Sequence, residues 1–347
     1  MPLDRIPKGS LVLVTGVTGL CGSVVADHLL KHGFRVRGVG RSASKAAPLI
    51  EHSNRTYGKD TFEFAEVVNA AAPGAFTNAL QGVAGVIHVA GDMSTEGNVD
   101  LDENLQTHAA SMIGMMEAAA NAGSVKAFIH TGAMLSAFVA QYGQDMQVSL
   151  DTFTEWIIPT ARTIPAEQEQ MKWALTYAAT KLHTEMEAWK YYREQKPNYA
   201  FNVVLPGFVM GPVANPAPGY YNTQGWMNDF FNGTVTNVTE NAFNPSTWVT
   251  DTRDCAAIHI AALLSTEVSG ERLWACSQVF TANEILAIWR EAYPDRKFRE
   301  DFNYPEMPKV ELLGREKSTQ LLKELEGRDW MSLKDISLDN VAQVAKN

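Results

Sequence analysis

The feature that most constrains this chain is a segment near its start where an apolar strand pattern, a glycine-rich turn and a helix pattern follow one another directly. Leu11–Val14 is a short, β-branched run of the kind that fills the centre of a parallel sheet. Gly16, Gly19 and Gly22 follow with spacing G-x-x-G-x-x-G, and a helix pattern continues to Gly33. Such glycines allow a tight turn, the approach of a pyrophosphate to bare backbone and close helix packing. The segment predicts a dinucleotide site with phosphates at the helix N-terminus; an ordinary βα turn is the alternative.

Strand and helix patterns alternate over the first 206 residues. The predicted strands are Leu11–Val14, Phe34–Val39, Phe62–Val68, Val86–Val89, Ala127–Thr131 and Phe201–Leu205. Two long helices are predicted, over Glu103–Ala122 and over Met171–Lys196. This alternation predicts an α/β fold with a doubly wound parallel sheet of the Rossmann type.

The composition changes after residue 207. Proline, glycine and asparagine become frequent, together with the aromatic residues Tyr220, Tyr221, Trp226, Phe230 and Phe231. Glu271–Cys276 is expected to return to the sheet, whereas Thr281–Tyr293 and Lys317–Leu325 are expected to be helices of a C-terminal lobe. We therefore predict a dinucleotide-binding domain over 1–206 with a return segment at about 249–280. A smaller substrate-binding lobe is predicted from 207–248 and 281–347.

Charge and cysteine usage limit the class of protein. The 347 residues include 29 basic and 39 acidic ones, a net charge of −10, which argues against nucleic acid or an anionic membrane as partner. Cys21, Cys255 and Cys276 are odd in number and widely spaced, which indicates reduced thiols and no metal site. We find neither a signal-peptide pattern nor an apolar run of membrane length. The expectation is a cytoplasmic protein that acts on small molecules.

A tyrosine and a lysine four residues apart on the second long helix are candidate catalytic groups. Tyr177 and Lys181 are neighbours on one helix face, and an ammonium beside a phenol is expected to lower the phenol pKa and favour proton donation. Tyr192 and Lys196 repeat this spacing, but they lie in the last turn before Pro197, which is typical of a solvated helix end. The mid-helix position, opposite an apolar stripe, favours the first pair.

Several motifs occur together, in the order typical of one known family. They are the glycine spacing, the strand G-V-I-H-V-A, Tyr177-x-x-x-Lys181, V-L-P-G-F-V-M-G-P at 204–212 and T-R-D-C-A-A-I-H-I-A-A-L at 252–263. Over residues 10 to about 300 the chain resembles extended short-chain dehydrogenase/reductases of the NAD-dependent epimerase/dehydratase type. Fungal aldehyde reductases and dihydroflavonol 4-reductase-like enzymes, which belong to secondary metabolism, look most similar.

The resemblance implies roles for particular residues. Tyr177 would donate the proton, Lys181 would bind the nicotinamide ribose, and the backbone at Pro206, Gly207 and Val209 would hold the carboxamide. The expected contacts from the glycine turn and from the end of the fourth strand are Gly16, Thr18, Gly19, Leu20, Cys21, Val89, Ala90 and Gly91.

The residues after the second strand favour NADP. An NAD site commonly offers a carboxylate there, but no Asp or Glu occurs from Gly33 to Ile50. Arg41 is predicted to pair with a 2′-phosphate, with Lys45 assisting; a solvated basic edge is the alternative. Asn69, after the third strand, takes a position where relatives often contact adenine with an acid, and its amide is expected to hydrogen-bond there.

The chain also departs from the family pattern. Relatives carry a serine or threonine two residues past the fifth strand, which hydrogen-bonds the substrate oxygen, and Ala133 aligns there. Loss of one such donor reduces rates by about 10² to 10³. Thr131, if the strand end bends, and Ser136 are two possible replacements. The asparagine of a proton relay aligns near Ala110 and Ser111.

These patterns predict an NADPH-dependent reductase of an aldehyde or ketone group on a small organic or secondary-metabolite substrate, acting as a monomer or homodimer. Ala133 motivates an alternative, a non-redox isomerase, dehydratase, lyase or cyclase that uses the same pocket. A third hypothesis is a nucleotide-sensing protein without catalysis, against which Tyr177 and Lys181 argue. The predicted substrate-binding residues are Ala133, Met134, Ser136 and Trp226. For Trp226 the alternative is a purely structural role in the core of the smaller lobe.

Overall fold

The chain folds around a seven-stranded sheet, which we describe from a computed structural model covering residues 1–91, 100–165, 167–215, 217, 219, 221–234, 247–342 and 344–345. The strands are β1 (Leu11–Thr15), β2 (Arg35–Gly40), β3 (Phe62–Glu66), β4 (Val83–His88), β5 (Ala127–Thr131), β6 (Met146–Val148), β7 (Ala200–Pro206), β8 (Phe208–Met210), β9 (Thr247–Asp251), β10 (Glu271–Ala275), β11 (Gln278–Phe280) and β12 (Val310–Leu312). The helices are α1 (Leu20–Lys31), α2 (Ala43–Tyr57), α3 (Leu101–Ala122), α4 (Ile157–Thr163), α5 (Glu169–Gln195), α6 (Asn222–Phe231), α7 (Thr252–Leu264), α8 (Ala282–Ala292), α9 (Arg315–Glu326) and α10 (Leu333–Val341).

The order of strands in the main sheet is β10-β7-β5-β4-β1-β2-β3, and every neighbouring pair is parallel. β1, β5 and β7 are buried along their whole length, as expected for strands that are covered by helices on both faces. The strand order reverses between β1 and β4, and ligands bind at the carboxyl ends of the strands beside such a switch point. The predicted α/β class and the return of Glu271–Cys276 to the sheet are confirmed.

Element boundaries differ from the predictions by a few residues, for local reasons. β4 starts at Val83 and ends at His88, because the N–H of Val89 donates to a side chain of β1 instead of continuing the ladder. β3 ends at Glu66, and Val68 beyond it is 70% exposed. The long helix α3 ends at Ala122 as predicted, because Gly123 adopts the left-handed conformation with φ of 68°.

A second, smaller sheet has the order β11-β9-β8, and α6, α8 and α10 pack beside it. Phe230, Phe231 and Trp289 are buried in its hydrophobic cluster. α9 packs instead on α7 and β10, with Leu321 and Leu322 in the same cluster as the residues of β1. The domain boundaries at residues 206, 249 and 280 stay a prediction. Tyr220 and residues 235–246 of the predicted lobe lie outside the described residues.

No helix in the described part of the chain combines the length and the apolar character that a membrane crossing requires.

Candidate active site

The glycine turn joins β1 to α1, and its glycines are required by close approaches. Gly16 has a φ of +67°, and a Cβ there would lie 3.1 Å from backbone atoms of Ala90. A Cβ on Gly22 would lie 2.2 Å from the carbonyl oxygen of Gly16, so α1 packs directly on the turn. Gly19 is the N-cap of α1, which has neither a side-chain cap nor an acidic residue in its first turn. The helix therefore presents its first backbone N–H groups to an anion.

A threonine at the end of β1 fixes the backbone that follows β4 beside this turn. The Oγ1 of Thr15 accepts hydrogen bonds from the N–H groups of Val89 at 3.0 Å and Ala90 at 2.9 Å. With both lone pairs occupied, its hydroxyl donates to Nδ1 of His88 at 2.9 Å. Val89 and Ala90 are thereby brought against the glycine turn. Thr15 was not predicted, although a hydroxyl at the carboxyl end of a central strand is a usable signal.

The loop after β8 contacts the turn from the other side. The Nδ2 of Asn215 donates to the carbonyl oxygen of Thr18 at 3.0 Å, across 197 residues of sequence. Leu20 is buried in α1, whereas Cys21 is half-buried and hydrogen-bonded to the buried thiol of Cys255 on α7. The structure therefore brings together the predicted turn residues and adds Asn215, for which the sequence offers no local signal.

Lys181 lies where β4, β5 and α5 meet. Its Nζ donates to the carbonyl oxygen of Thr131 at 2.9 Å, and a Cβ on Gly91 would lie 3.2 Å from the same Nζ. Burial lowers the pKa of Lys181 to about 8, while the nearby Cys21 and Glu185 oppose this shift. A lysine with this pKa is mostly protonated at pH 7, so its ammonium is available at the end of β4.

Tyr177 lies one helical turn before Lys181 on α5 and is half-buried. Its ring is parallel to that of Trp173, with centroids 6.0 Å apart and an interplanar angle of 8°. Burial raises the pKa of Tyr177 above its usual value, as does the charge of Cys21. This direction is opposite to the expectation that Lys181 lowers the phenol pKa, because removal from water penalises the phenolate. The phenol is therefore protonated at neutral pH, the state that a proton donor needs.

Aromatic side chains continue from Tyr177 toward the smaller sheet. Trp173 contacts Trp226 of α6 edge-on, with centroids 5.8 Å apart, and Trp226 contacts Phe208 of β8 at 6.3 Å. Trp173 and Trp226 are half-buried, and we call Trp173, Trp226 and Phe208 the aromatic wall. Phe230 on the same helix is only 2% exposed, and the half-buried Trp226 packs against the same lobe cluster, so both interpretations of Trp226 stay open. The sequence analysis missed Trp173, although it precedes Tyr177 by four residues on one helix.

Thr131 is held by a histidine on the α7 side of the sheet. The Nδ1 of His259 lies 2.7 Å from the carbonyl oxygen of Cys255, which can only accept, so Nδ1 carries the proton. Burial lowers the pKa of His259 to about 4, and the ring is neutral. Its Nε2 therefore accepts the hydroxyl proton of Thr131 at 2.7 Å. Thr131 is 5% exposed and its proton is not available to a substrate in this arrangement.

Ser136 belongs to a buried polar network. It has no exposed surface, and its Oγ lies 2.6 Å from Oε2 of Glu185 and 2.8 Å from the carbonyl oxygen of Ala133. Arg272 donates to the same Oγ at 2.9 Å, and its Nε lies 2.7 Å from Oε1 of Glu185. Ser136 therefore faces the protein interior and does not reach a substrate here. We call Ser136, Glu185 and Arg272 the buried ionic network.

The remaining predicted substrate residues lie just after β5. Ala133 precedes a short 3₁₀ turn over Met134–Ser136 and is 5% exposed, and Met134 is 8% exposed. A Cβ on Gly207 would lie 3.3 Å from Sδ of Met134 and 2.1 Å from the carbonyl oxygen of Trp248. This glycine thus lets the end of β7 pass between the two sheets.

The segment predicted to hold the carboxamide follows directly. Pro206 ends β7, and the N–H of Gly207 donates to Oγ1 of Thr250 at 2.8 Å. Val209 lies in β8 and is 8% exposed, and its carbonyl oxygen accepts a hydrogen bond from Thr223 of α6. The backbone here is held by both sheets.

The edge formed by β2 and β3 carries the predicted phosphate ligands and an acid. Arg41 and Lys45 are exposed, and Asn69 is exposed with its Oδ1 accepting from the N–H of Ala71 at 3.1 Å. The Oε2 of Glu66 accepts from the N–H of Ala43 at 2.7 Å. Glu66 was not predicted, because it lies outside the segment after β2 and is brought to this edge by the pairing of β3 with β2.

Two further predictions concern the helices. Tyr192 packs against Trp189 and other aromatic rings, and Lys196 is the exposed C-cap of α5, which agrees with a structural role for that pair. Ala110, the predicted relay position, is exposed on α3, and Ser111 is half-buried. A polar link between α3 and α5 comes instead from Asn104, whose Nδ2 donates to Oγ1 of Thr180 at 2.8 Å.

The sequence and the fold resemble those of known proteins. The chain is 32% identical over 338 residues to "Aldehyde reductase 2" of Sporidiobolus salmonicolor, covering 97% of this chain and 96% of the relative. It is 32% identical over 333 residues to "NAD-dependent epimerase/dehydratase terH" of Aspergillus terreus, covering 96% of both. The structure of yeast methylglyoxal/isovaleraldehyde reductase Gre2 in complex with NADPH superposes with a TM-score of 0.78 at 20% identity, covering 97% of this chain and 98% of that one.

The family assignment rests on the sequence itself. The model of the NAD-dependent epimerase/dehydratase family matches residues 12–222, from the first strand to the start of α6. This range contains the glycine turn, Tyr177 and Lys181. The predicted resemblance is thus confirmed: the chain belongs to the NAD-dependent epimerase/dehydratase family.

Proposed function

We propose that this chain is an NADPH-dependent oxidoreductase of the short-chain dehydrogenase/reductase type, which reduces an aldehyde or ketone group on a small organic molecule. The observation that carries the proposal is the position of Lys181 at the carboxyl ends of β4 and β5, with Tyr177 half-buried one helical turn before it. The relatives named aldehyde reductase and ketoreductase support a reductase role.

The described residues fit a phosphorylated dinucleotide. The close approaches at Gly16 and Gly22 leave no room for side chains, and the uncapped N-terminus of α1 suits the pyrophosphate. Arg41 would hold the 2′-phosphate, Lys181 the nicotinamide ribose, and the backbone of 206–209 the carboxamide. When bound, NADPH supplies the hydride. The NADPH complex of Gre2 supports this choice of cofactor.

Tyr177 would supply the proton. Its raised pKa keeps the phenol protonated until the carbonyl oxygen develops alkoxide charge, and the phenol then donates to that oxygen. The Lys181 ammonium, fixed by the carbonyl oxygen of Thr131, would stabilise the phenolate that remains. Because the hydroxyls of Thr131 and Ser136 are engaged elsewhere, Tyr177 acts as the donor to the substrate oxygen without help from either.

The aromatic wall supports an apolar substrate. Trp173 and Trp226 are half-buried beside Tyr177, and rings of this size bind planar apolar groups through area burial and ring contacts. Small aldehydes or ketones that carry an apolar or aromatic group fit this surface. The cytoplasmic location and the assembly as monomer or homodimer stay predictions.

The test is Tyr177→Phe, assayed with NADPH against a panel of aldehydes and ketones. Loss of the proton donor is expected to lower kcat by about 10² to 10⁴ while the Kd for NADPH changes little. Tyr192→Phe, the matched change in the second Tyr-x-x-x-Lys motif, should leave kcat within about twofold. If Tyr177→Phe keeps full activity, another group donates the proton. If the unsubstituted protein binds NADPH but reduces no compound in the panel, the hypothesis of a nucleotide-sensing protein replaces that of a reductase.

A non-redox enzyme is the second candidate, because Ala133 lacks a hydroxyl and the two predicted replacements, Thr131 and Ser136, are hydrogen-bonded to His259 and Glu185. Such an enzyme would convert its substrate without net oxidation of NADPH. Ala133→Ser separates the two: a reductase that works without this donor should gain about tenfold or more in kcat/KM when the hydroxyl is restored. A conversion that continues after removal of the nucleotide would favour the second candidate.

A further inference from the structure

Glu66 lies at the edge of the sheet where the cofactor would carry its 2′-phosphate. It is the last residue of β3 and pairs in register with Gly40, the last residue of β2. Arg41 follows Gly40 directly, and Ala43 begins α2. The Oε2 of Glu66 accepts the Ala43 N–H at 2.7 Å, so the carboxylate lies at the N-terminus of α2.

A second glutamate on the same strand shows why Glu66 is different. Glu63 pairs with Arg37, whose Nη2 and Nε lie 2.7 Å and 2.8 Å from its Oε1, so its charge is compensated by a guanidinium. Glu66 instead accepts a hydrogen bond from a neutral backbone amide, which leaves its negative charge in place. Both side chains are exposed, and because the two glutamates are three residues apart on β3, they point to opposite faces of the strand.

The two charges beside the end of β2 favour different cofactors. The guanidinium of Arg41 suits a phosphate, whereas a carboxylate near the adenosine ribose suits free hydroxyl groups. Glu66 also occupies an N–H at the start of α2 that would otherwise attract an anion.

We propose that Glu66 is a cofactor-specificity residue, whose carboxylate weakens the binding of the 2′-phosphate and so reduces the preference for NADPH over NADH that Arg41 creates. This inference rests on the proposed function, because it assigns a residue to that same cofactor site. The lack of Asp and Glu from Gly33 to Ile50 predicts a strong preference for NADPH. With Glu66 at the same edge, the enzyme binds NADH better than that prediction implies.

The experiment measures the Kd of NADPH and of NADH by calorimetry, without a carbonyl substrate, for the unsubstituted protein and three variants. Glu66→Gln should tighten NADPH about three- to fivefold, the range of an exposed charge interaction, and leave NADH unchanged or slightly weaker. Glu66→Asp keeps the negative charge, so the ratio of the Kd values for NADPH and NADH should stay that of the unsubstituted protein. Glu63→Gln changes the net charge equally and should leave the ratio of the two Kd values within about 1.5-fold.

Salt dependence provides a second readout. The gain from Glu66→Gln should shrink when the salt concentration rises from about 0.05 M to about 0.5 M, because exposed charges are screened over a few ångströms at high salt. An equal weakening of both dinucleotides in Glu66→Gln, or an unchanged Kd ratio, overturns the inference, since Glu66 would then only cap α2. If the unsubstituted protein binds neither dinucleotide, the proposed function fails as well; if it reduces aldehydes with NADPH but the ratio is unchanged, only the assignment of Glu66 fails.

Discussion

The cofactor side and the substrate side of the cleft are built in different ways. On the cofactor side, backbone atoms approach each other so closely at Gly16 and Gly22 that the shape follows from the absence of side chains. On the substrate side, the turn after β5 is held by side chains, with Thr131 bound to His259 and Ser136 bound to Glu185. Under the proposed function, the first arrangement would bind a common chemical group, a pyrophosphate, and the second would vary with the substrate of each enzyme.

The largest expected effect is on the substrate side, in Arg272→Met. Removing the guanidinium leaves Glu185, which is fully buried, without its counter-charge, and such a loss lowers the free energy of unfolding by about 3–5 kcal/mol. Urea unfolding at pH 7 measures the change. Arg162→Met is the matched control, because the Arg162–Asp102 pair is exposed on both sides and should contribute less than about 1 kcal/mol. Equal losses in both variants would contradict the network's role.

The cofactor side is tested by Gly22→Ala. A Cβ at 2.2 Å from the carbonyl oxygen of Gly16 forces the helix away from the turn, so we expect a loss of about 1–3 kcal/mol in the free energy of unfolding and a large rise in the Kd of NADPH. Gly114→Ala is the control, because a Cβ there meets nothing within 4 Å in the middle of α3. That change should stabilise the protein by about 0.5–1 kcal/mol. Unaltered NADPH binding in Gly22→Ala would refute the steric argument.

The same difference between the two sides explains how far the sequence could predict the site. The glycine turn and the pair Tyr177 and Lys181 depend on spacings of three or four residues, and a helix or turn converts such spacings directly into proximity. The hydroxyl of Thr131 depends on a partner 128 residues away, and that of Ser136 on one 136 residues away. No local pattern encodes those contacts, since they are set when α7 and β10 pack on the sheet.

The fold follows the same rule. β5 and the C-terminal end of α3 have the predicted boundaries, because their patterns end at local signals such as Gly123. Glu66 reaches the cofactor edge only through the register of β3 on β2, and the helix α9 packs on α7 although its sequence follows that of the smaller lobe. Pairing and packing between distant segments decide these placements.

The pH dependence of the proposed reduction compares the two proposed catalytic groups, Tyr177 and Lys181. As pH rises through about 8, Lys181 loses its proton and its positive charge, whereas Tyr177, with its raised pKa, keeps its proton. The kcat/KM for the carbonyl substrate should therefore fall about tenfold per pH unit above 8, with the apparent pKa belonging to the lysine. Stopped assays from pH 6 to pH 10 at saturating NADPH measure the profile. A flat profile up to pH 10 would show that the ammonium does not support the proton transfer.

The smallest expected effect on rate is that of Thr131→Val, and it decides whether the substrate side lacks a hydroxyl donor. Because the Thr131 proton is donated to His259, removing the hydroxyl takes no hydrogen bond from a substrate, and kcat should stay within about threefold. Stability should still fall by about 1–3 kcal/mol, since Nε2 of the buried His259 loses its donor. The carbonyl oxygen of Thr131, which holds Lys181, is unchanged in the variant. A drop of 10² or more in kcat would therefore come from the lost hydroxyl. That result would make Thr131 the replacement for the donor missing at Ala133.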